Sequence, residues 1–479
     1  MDSRFEVITE YKIMPGAVLY STSLGGVLIG CPPEVLKTLL SQHLPMPNQV
    51  VIPETLIRGN SSQACLEFPF YHFLFIQQGL AQGKKFRVFG SPETLDRLQQ
   101  TLRVTLLGPT LEEAMACEER MGLVSALDAE KVQAWVKESA ALALKGKDGH
   151  VLQVEELVEF IPFDVGEEVE VFGAVEDQPA VMLKRLGPDQ YVCHAEAHSF
   201  DCDLSTTEAQ TPAYEVNHTP VSKKETTSDE ALSIRVLGVS EGFDPMRPAN
   251  GLLLRLRGKW LLWDCPSYAH VHLEKMGLSL ADLEGIVVSH VHEDHLEVAE
   301  TLQPGKKTKI YSSPEIFESL LVKLMALLGC DHQTAASHYE FVPLYVDQPF
   351  DLFGATAEVF YSVHVIPALG LRLEVPSAGG QTKRIFISGD QLSGPAVENL
   401  VKNGTIDEAR QANVNGRFKE DAYDAFIVDV GGGMIHGEPS DFFDRTDGVM
   451  YMHTGKHLSD LPQGHRLLCA GDFIELFPG

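Results

Sequence analysis

Four side chains able to donate an electron pair to a metal fall within six residues of this chain. They are His290, His292, Asp294 and His295, in the run Val287-Val288-Ser289-His290-Val291-His292-Glu293-Asp294-His295. Imidazole with carboxylate suits zinc, iron or manganese, so one short loop can begin two metal sites. The apolar residues before the loop read as a buried strand. Side chains alternate along extended backbone, so a strand ending here projects His290 and His292 from one side. Asp294 and His295 then turn away toward a second ion. Histidines in a polar loop by chance are the competing reading, since the chain holds 18 histidines in 479 residues.

Donors accumulate downstream and weaken that alternative. Phe360-Tyr361-Ser362-Val363 delivers His364, Ile385-Phe386-Ile387-Ser388-Gly389 delivers Asp390, and Val449-Met450-Tyr451-Met452 delivers His453. One ligand-type residue at a strand end is ordinarily structural, but three behind H-x-H-x-D-H point to a site for two divalent ions. Asp264, which closes Trp260 to Trp263, reads as a carboxylate that orients a ligand or the loop. Its alternative is a helix N-cap.

The elements that position these residues follow from pattern. Ser233 to Leu237, Gly251 to Leu256, Trp260 to Trp263 and Ile286 to Val288 read as strands, with a short helix over 268–277. Strand and helix alternate, as in α/β layers. Residues 1–203 alternate similarly. Gly26 to Gly30, Val50 to Ile52 and Phe86 to Phe89 are expected strands, Pro33 to Gln42 an expected helix, and Ser91 a plausible N-cap for another helix reaching Leu102.

Part of the first half recurs in the second. Gly83 to Glu93 matches Gly305 to Glu315, and Glu159 to Ala174 aligns without a gap on Glu340 to Ala355. Two matches in one order argue for a duplicated unit. In the first copy Ile52-Pro53-Glu54 stands where the second has Val288-Ser289-His290, and no H-x-H-x-D-H follows. The expected organisation is a copy without metal ligands over 1–203, an exposed polar linker over 204–231 and a metal-binding domain over 232–479. Cys193, His194, His198 and Cys202 lie close enough for a structural zinc, although not at a familiar finger spacing.

Composition bounds the partners. The 44% apolar and 22% charged content is ordinary for a globular chain. The 38 Lys+Arg against 67 Asp+Glu leave a net charge of −29. Such a surface disfavours a long nucleic acid and favours a small-molecule substrate. The run from Phe68 to Ile76 is too short to cross a bilayer. Met1 to Glu6 shows no signal-peptide pattern, and eight cysteines without C-x-x-C suggest reduced thiols in a cytoplasm.

The H-x-H-x-D-H run with His364, Asp390 and His453 resembles the metallo-β-lactamase-fold hydrolases over about residues 232–479. The resemblance implies an α/β fold, an αββα sandwich with two metals at one edge, preceded by a degenerate, incomplete copy. It implies His290, His292 and His364 on one metal, and Asp294, His295 and His453 on the other. Asp390 would bridge them beside a shared hydroxide, and Asp294 would assist proton transfer. His364-Val365-Ile366-Pro367-Ala368-Leu369-Gly370 is similar to the His-x-x-Pro-x-x-Gly element of ribonuclease Z and related phosphodiesterases. Asp429 to His436 lies where those enzymes carry a further acid and histidine, so His436 is expected to protonate a leaving group or to line the pocket.

The implied activity is a metal-dependent phosphodiesterase, with zinc first and iron or manganese as alternatives, acting on a small cyclic-nucleotide-type ester. No basic, glycine-rich arm for gripping tRNA is visible. A di-iron oxygen-binding sensor or oxidoreductase on the same fold is the alternative. A homodimer is expected unless the internal copy takes its place. Leu296-Glu297-Val298 departs from the small residues that follow the motif in many members, and Glu293 is expected to add a carboxylate near the metals.

Overall fold

The computed structural model of the chain describes residues 8–175, 179–196, 198–205, 208–222, 231–419, 423–433 and 435–478. Met1 to Glu6, Thr206, Thr207, residues 223–230 of the expected linker and Met434 lie outside the described residues.

From Leu232 onward the chain builds two seven-stranded sheets. The first runs, in spatial order, Tyr339–Pro343, Thr308–Ser312, Leu283–Val287, Lys259–Trp263, Gly251–Leu256, Leu232–Gly238 and Phe473–Phe477. The second runs Phe350–Leu352, Ala355–Tyr361, Leu369–Pro376, Thr382–Ile387, Ala425–Asp429, Met450–Met452 and Arg466–Leu467. Ala425–Asp429 and Gly251–Leu256 are buried at every residue, which is why they read as continuous apolar runs rather than alternating ones. Both sheets share one core, in which Ile234, Leu262 and Ile286 join Val359, Ile385 and Ile427. Helix Pro314–Leu328 covers the first sheet and begins with proline at its first turn, where the missing N–H costs nothing. Helix Glu408–Lys419 covers the second, with Phe418 edge-on to Phe386 at 5.5 Å.

The strands that end in candidate ligands share a direction within each sheet. Lys259–Trp263 and Leu283–Val287 are parallel, as are Thr382–Ile387, Ala425–Asp429 and Met450–Met452. Ala355–Tyr361 regains that sense through two antiparallel pairings. Their C-terminal ends therefore meet at one edge of the sandwich.

The N-terminal half has a six-stranded sheet of Thr9–Met14, Ala17–Thr22, Gly25–Ile29, Gln49–Val51, Phe86–Gly90 and Val158–Pro162. It pairs antiparallel, antiparallel, parallel, parallel, parallel. The same succession runs from Leu232–Gly238 to Tyr339–Pro343. A four-stranded antiparallel sheet follows, ordered His198–Asp203, Gln190–Ala195, Val181–Gly187, Glu168–Phe172. The halves are joined by helix Pro92–Leu107 packing on Pro314–Leu328, by Trp135 against Tyr361, and by a two-bond Glu138–Arg410 pair at 2.7 and 3.0 Å.

The linker departs from expectation. Leu204, Tyr214 and Val216 are buried, Val221 donates its N–H to Met276 O, and Gln210 reaches Pro15 O and Gln63. Few apolar residues suffice to seat a segment when they fall over a seam between two units. His218 Nε2 lies 2.7 Å from Nδ1 of His272, a buried residue of helix Ala269–Lys275.

This contact predicts acid sensitivity. Burial lowers His218 to about 4 and His272 to about 3, from 6.5. The unfolded chain therefore binds these protons first, so the stability is whole above pH 6.5 and drains as pH falls toward the folded values. His272 alone costs roughly 3 kcal/mol by about pH 4, with a smaller, solvent-screened share from His218. Urea midpoints of the metal-free protein should fall less steeply over this window in His272→Leu than in wild type; equal slopes would refute the assignment.

Candidate metal centre

The strand Leu283–Val287 stops before the motif, so His290 and His292 stand in a loop and not at the alternating positions expected of them. The loop still converges them, with His290 Nε2 3.2 Å from His292 Nδ1. His364 Nε2 lies 3.2 Å from the same His292 atom, and Asp390 Oδ2 is 3.6 Å from His290 Nε2 and 3.8 Å from His364 Nε2. Beyond His292 the chain turns, the N–H groups of His295 and Leu296 both donating to its carbonyl. That turn carries Asp294 and His295 to the other side of Asp390. Asp294 Oδ2 is 3.1 Å from His453 Nε2, and His295 Nε2 is 3.1 Å from Asp390 Oδ1.

Two donor groups hold the seven expected ligands, His290–His292–His364–Asp390 and Asp294–His295–His453, with Asp390 touching both, and a third, Asp390–Asp429–His436–His453, overlaps them. All seven residues are buried. Asp390 is presented by a turn that only Gly389 can make. Its φ is +62°, and a Cβ there would stand 2.2 Å from Leu369 O. Asp264 and His453 also have φ of 61°, which is uncommon for residues with a Cβ and is often found at functional sites.

The outer ring nitrogens are held. Asp264 Oδ2 takes His295 Nδ1 at 2.8 Å and Asp264 Oδ1 accepts the Ser289 N–H, so Asp264 orients both a ligand and the loop. Ser289 Oγ is 3.0 Å from His290 Nδ1, and Asp429 Oδ1 is 3.2 Å from His453 Nδ1. Each of these rings leaves Nε2 for the site, whereas His292, fixed through Nε2, leaves Nδ1.

The donor set fits divalent cations. Burial holds His290 and His292 far below the usual histidine range, and holds His364 at about 4 against the pull of Asp390, so these three are neutral as ligation requires. On the other side burial is outweighed. Asp390 and Asp264 raise His295 to about 10, and Asp390 and Asp429 raise His453 far up. Buried carboxylates around the second group thus draw positive charge to it. We expect Asp264→Asn to weaken one of two metals by roughly 10- to 100-fold, read as earlier loss to a chelator, because the amide cannot accept both the Ser289 and His295 protons.

His436 joins from the loop after Ala425–Asp429. Its Nδ1 is 2.9 Å from Asp429 Oδ2 and 3.6 Å from Asp390 Oδ2, and its side chain is 16% exposed where the seven donors are almost wholly buried. Asp429 spans His436 and His453, and the two histidines hold it at about 2 although burial opposes this.

Other expectations fail or were absent. Glu293 turns away from the metals, and its Oε2 accepts the Glu67 N–H from the other half of the chain. Burial pushes Glu67 far up and Glu293 to about 8, with the Lys323 ammonium opposing. Cys193 and Cys202 point into an apolar core, His194 pairs with Glu168 and His198 is exposed, so this quartet is not brought together. All eight cysteines are unpaired. Among the described residues no helix is long and apolar enough to cross a membrane.

Several known proteins are similar to parts of this chain. Residues 232–407 match the family model of the anti-Pycsar protein Apyc1. A cAMP/cGMP-dependent 3′,5′-cAMP/cGMP phosphodiesterase B of Dictyostelium discoideum is 22% identical over an alignment of 404 residues that covers 76% of this chain and 36% of that protein. A ribonuclease Z of Kineococcus radiotolerans is 28% identical over 179 residues, 35% of this chain and 55% of that one. The chain therefore spans about a third and about half of these curated relatives. The solved metallo-β-lactamase-fold protein YhfI of Bacillus subtilis is 14% identical and covers 51% of this chain and 99% of its own, with a TM-score of 0.38. The two-sheet sandwich with H-x-H-x-D-H at its edge is the arrangement that the motif's resemblance implies.

Proposed function

We propose that this chain is a binuclear metal-dependent phosphodiesterase whose substrate is a small phosphodiester of the cyclic-nucleotide type. The observation that carries the reading is Asp390, whose carboxylate faces both sets of donor atoms, His290, His364 and His453 through Oδ2 and His295 through Oδ1. Two cations held there supply an activated water and offset the charge of a phosphodiester under attack. His290, His292 and His364 would hold the first, Asp294, His295 and His453 the second, and the charge of Asp390 would reduce their mutual repulsion. Asp294 also takes up a proton from the attacking water. His436 gives a proton to the leaving oxygen from Nε2, while Asp429 on Nδ1 stabilises the charged ring.

The relatives support the substrate class. A net charge of −29 favours a small substrate over tRNA. The N-terminal half reads as a degenerate copy that serves packing. Its support is the shared strand succession and the shared register, Phe86 opposite Val158 as Thr308 is opposite Tyr339. Where the second copy has its ligand loop, the first has Glu54 paired with Arg185. The internal partner takes the place a second subunit would fill.

The test is metal analysis by mass spectrometry with a visible spectrum, followed by turnover of 3′,5′-cyclic AMP and GMP, bis(p-nitrophenyl) phosphate and precursor tRNA. We expect about two zinc or manganese ions per chain and preferential turnover of a cyclic nucleotide. Two irons with an oxygen-dependent band would favour the sensor or oxidoreductase. Turnover of tRNA alone would refute the substrate class.

A further inference from the structure

His292 is the ligand whose outer nitrogen is held from outside its own unit. Its Nε2 lies 3.1 Å from the carbonyl of Thr105 and 3.8 Å from Glu67 Oε1, both in the N-terminal half. Local sequence explains why that carbonyl is free. Thr105 stands near the end of helix Pro92–Leu107, and the residue four positions on, which would donate to it in a continuing helix, is Pro109. The helix ends instead with Gly108 donating to Val104 O. The Thr105 acceptor is thereby directed across the seam.

Glu67 is held as closely. Its Oε2 accepts the Glu293 N–H at 2.9 Å, and the Glu67 N–H donates back to Glu293 Oε2 at 3.1 Å. This reciprocal clasp fixes the H-x-H-x-D-H loop to the turn around Leu66. Glu67 Oε1 is buried and accepts no hydrogen bond of ordinary geometry among the described residues; the His292 ring and Tyr71 are its polar neighbours. A buried acceptor without a donor costs on the order of 1–3 kcal/mol unless something offsets it.

We infer that Glu67 is a positioning residue for His292, supplied by the half of the chain that has no metal ligands of its own, so that the first donor group is complete only when the two halves are docked. Asp264 has the corresponding place behind His295, but from within the same unit. The inference rests on the metal-binding reading above. Glu67 and the Thr105 carbonyl together keep the proton on His292 Nε2 and present Nδ1 to the ion.

The test is Glu67→Gln in the full chain loaded with zinc, with release of each ion to a chelator followed by mass spectrometry, and with the visible absorption of the cobalt-loaded protein. Glutamine keeps an oxygen for the Glu293 N–H, so the clasp survives while the carboxyl oxygen facing His292 is lost. We expect one of two release phases to quicken by roughly 10- to 100-fold, the other to stay at the wild-type rate, and the cobalt absorption to change. Glu67→Asp, too short to reach His292, should quicken the same phase if the glutamine variant does not fold. Wild-type release of both ions from either folded variant would overturn the inference while leaving the metal-binding reading intact. A wild-type chain that takes up no metal would remove both.

Discussion

Replacing Asp390 with alanine is expected to lower phosphodiester turnover by at least about 10³-fold, equivalent to about 4 kcal/mol at the transition state. Each of the other donors except His453 falls in a single group. Asp390 faces His295 with Oδ1 and His290, His364 and His453 with Oδ2, so its loss strips a ligand from both sides at once. Two cations would then repel across the gap with no shared anion between them. Metal content should fall below two per chain in the same variant. Circular dichroism should stay as in wild type, because strand Thr382–Ile387 ends before Asp390 and no strand pairing involves it. An alanine variant that keeps both metals and its turnover would exclude Asp390 as the bridge.

Replacing His436 with alanine is expected to separate substrates by their leaving groups. Hydrolysis of a cyclic nucleotide, which expels an alkoxide, should slow by about 10²- to 10³-fold, the span of a lost general acid. Bis(p-nitrophenyl) phosphate expels a stable phenolate that needs no proton, so its turnover should change by less than about tenfold if acid catalysis is the only contribution lost. Metal content should not change if the ions sit in the two groups of expected ligands, neither of which includes this ring; a fall would place an ion in the Asp390–Asp429–His436–His453 group. Equal loss on both substrates would show that His436 shapes the pocket or supports Asp429 instead. The geometry favours the acid role, since His436 is the partly exposed ring of the cluster and Asp429, at 2.9 Å, is placed to stabilise it when charged.

Sequence alone carried the metal centre further than the rest of the molecule, for a physical reason. Each ligand sits at or just past the end of an apolar strand, and strand and ligand are written within a few consecutive residues. The order of strands then follows from layer packing, so Asp264, Asp390, Asp429 and His453 arrive at one edge. The repeated strand–helix corners were legible for the same local reason. What only the tertiary structure decided is where side chains without periodicity turn. Glu293 lies within the motif, yet it faces the other half because Glu67 offers it a backbone N–H there. The tether is not free, because Tyr214 and Val216 find a seam that no single segment encodes. Thr105 stands 187 residues before His292, and nothing local to either records that they meet. Contacts of that kind depend on two units docking, and docking is a property of surfaces assembled from many distant residues rather than of any stretch of chain.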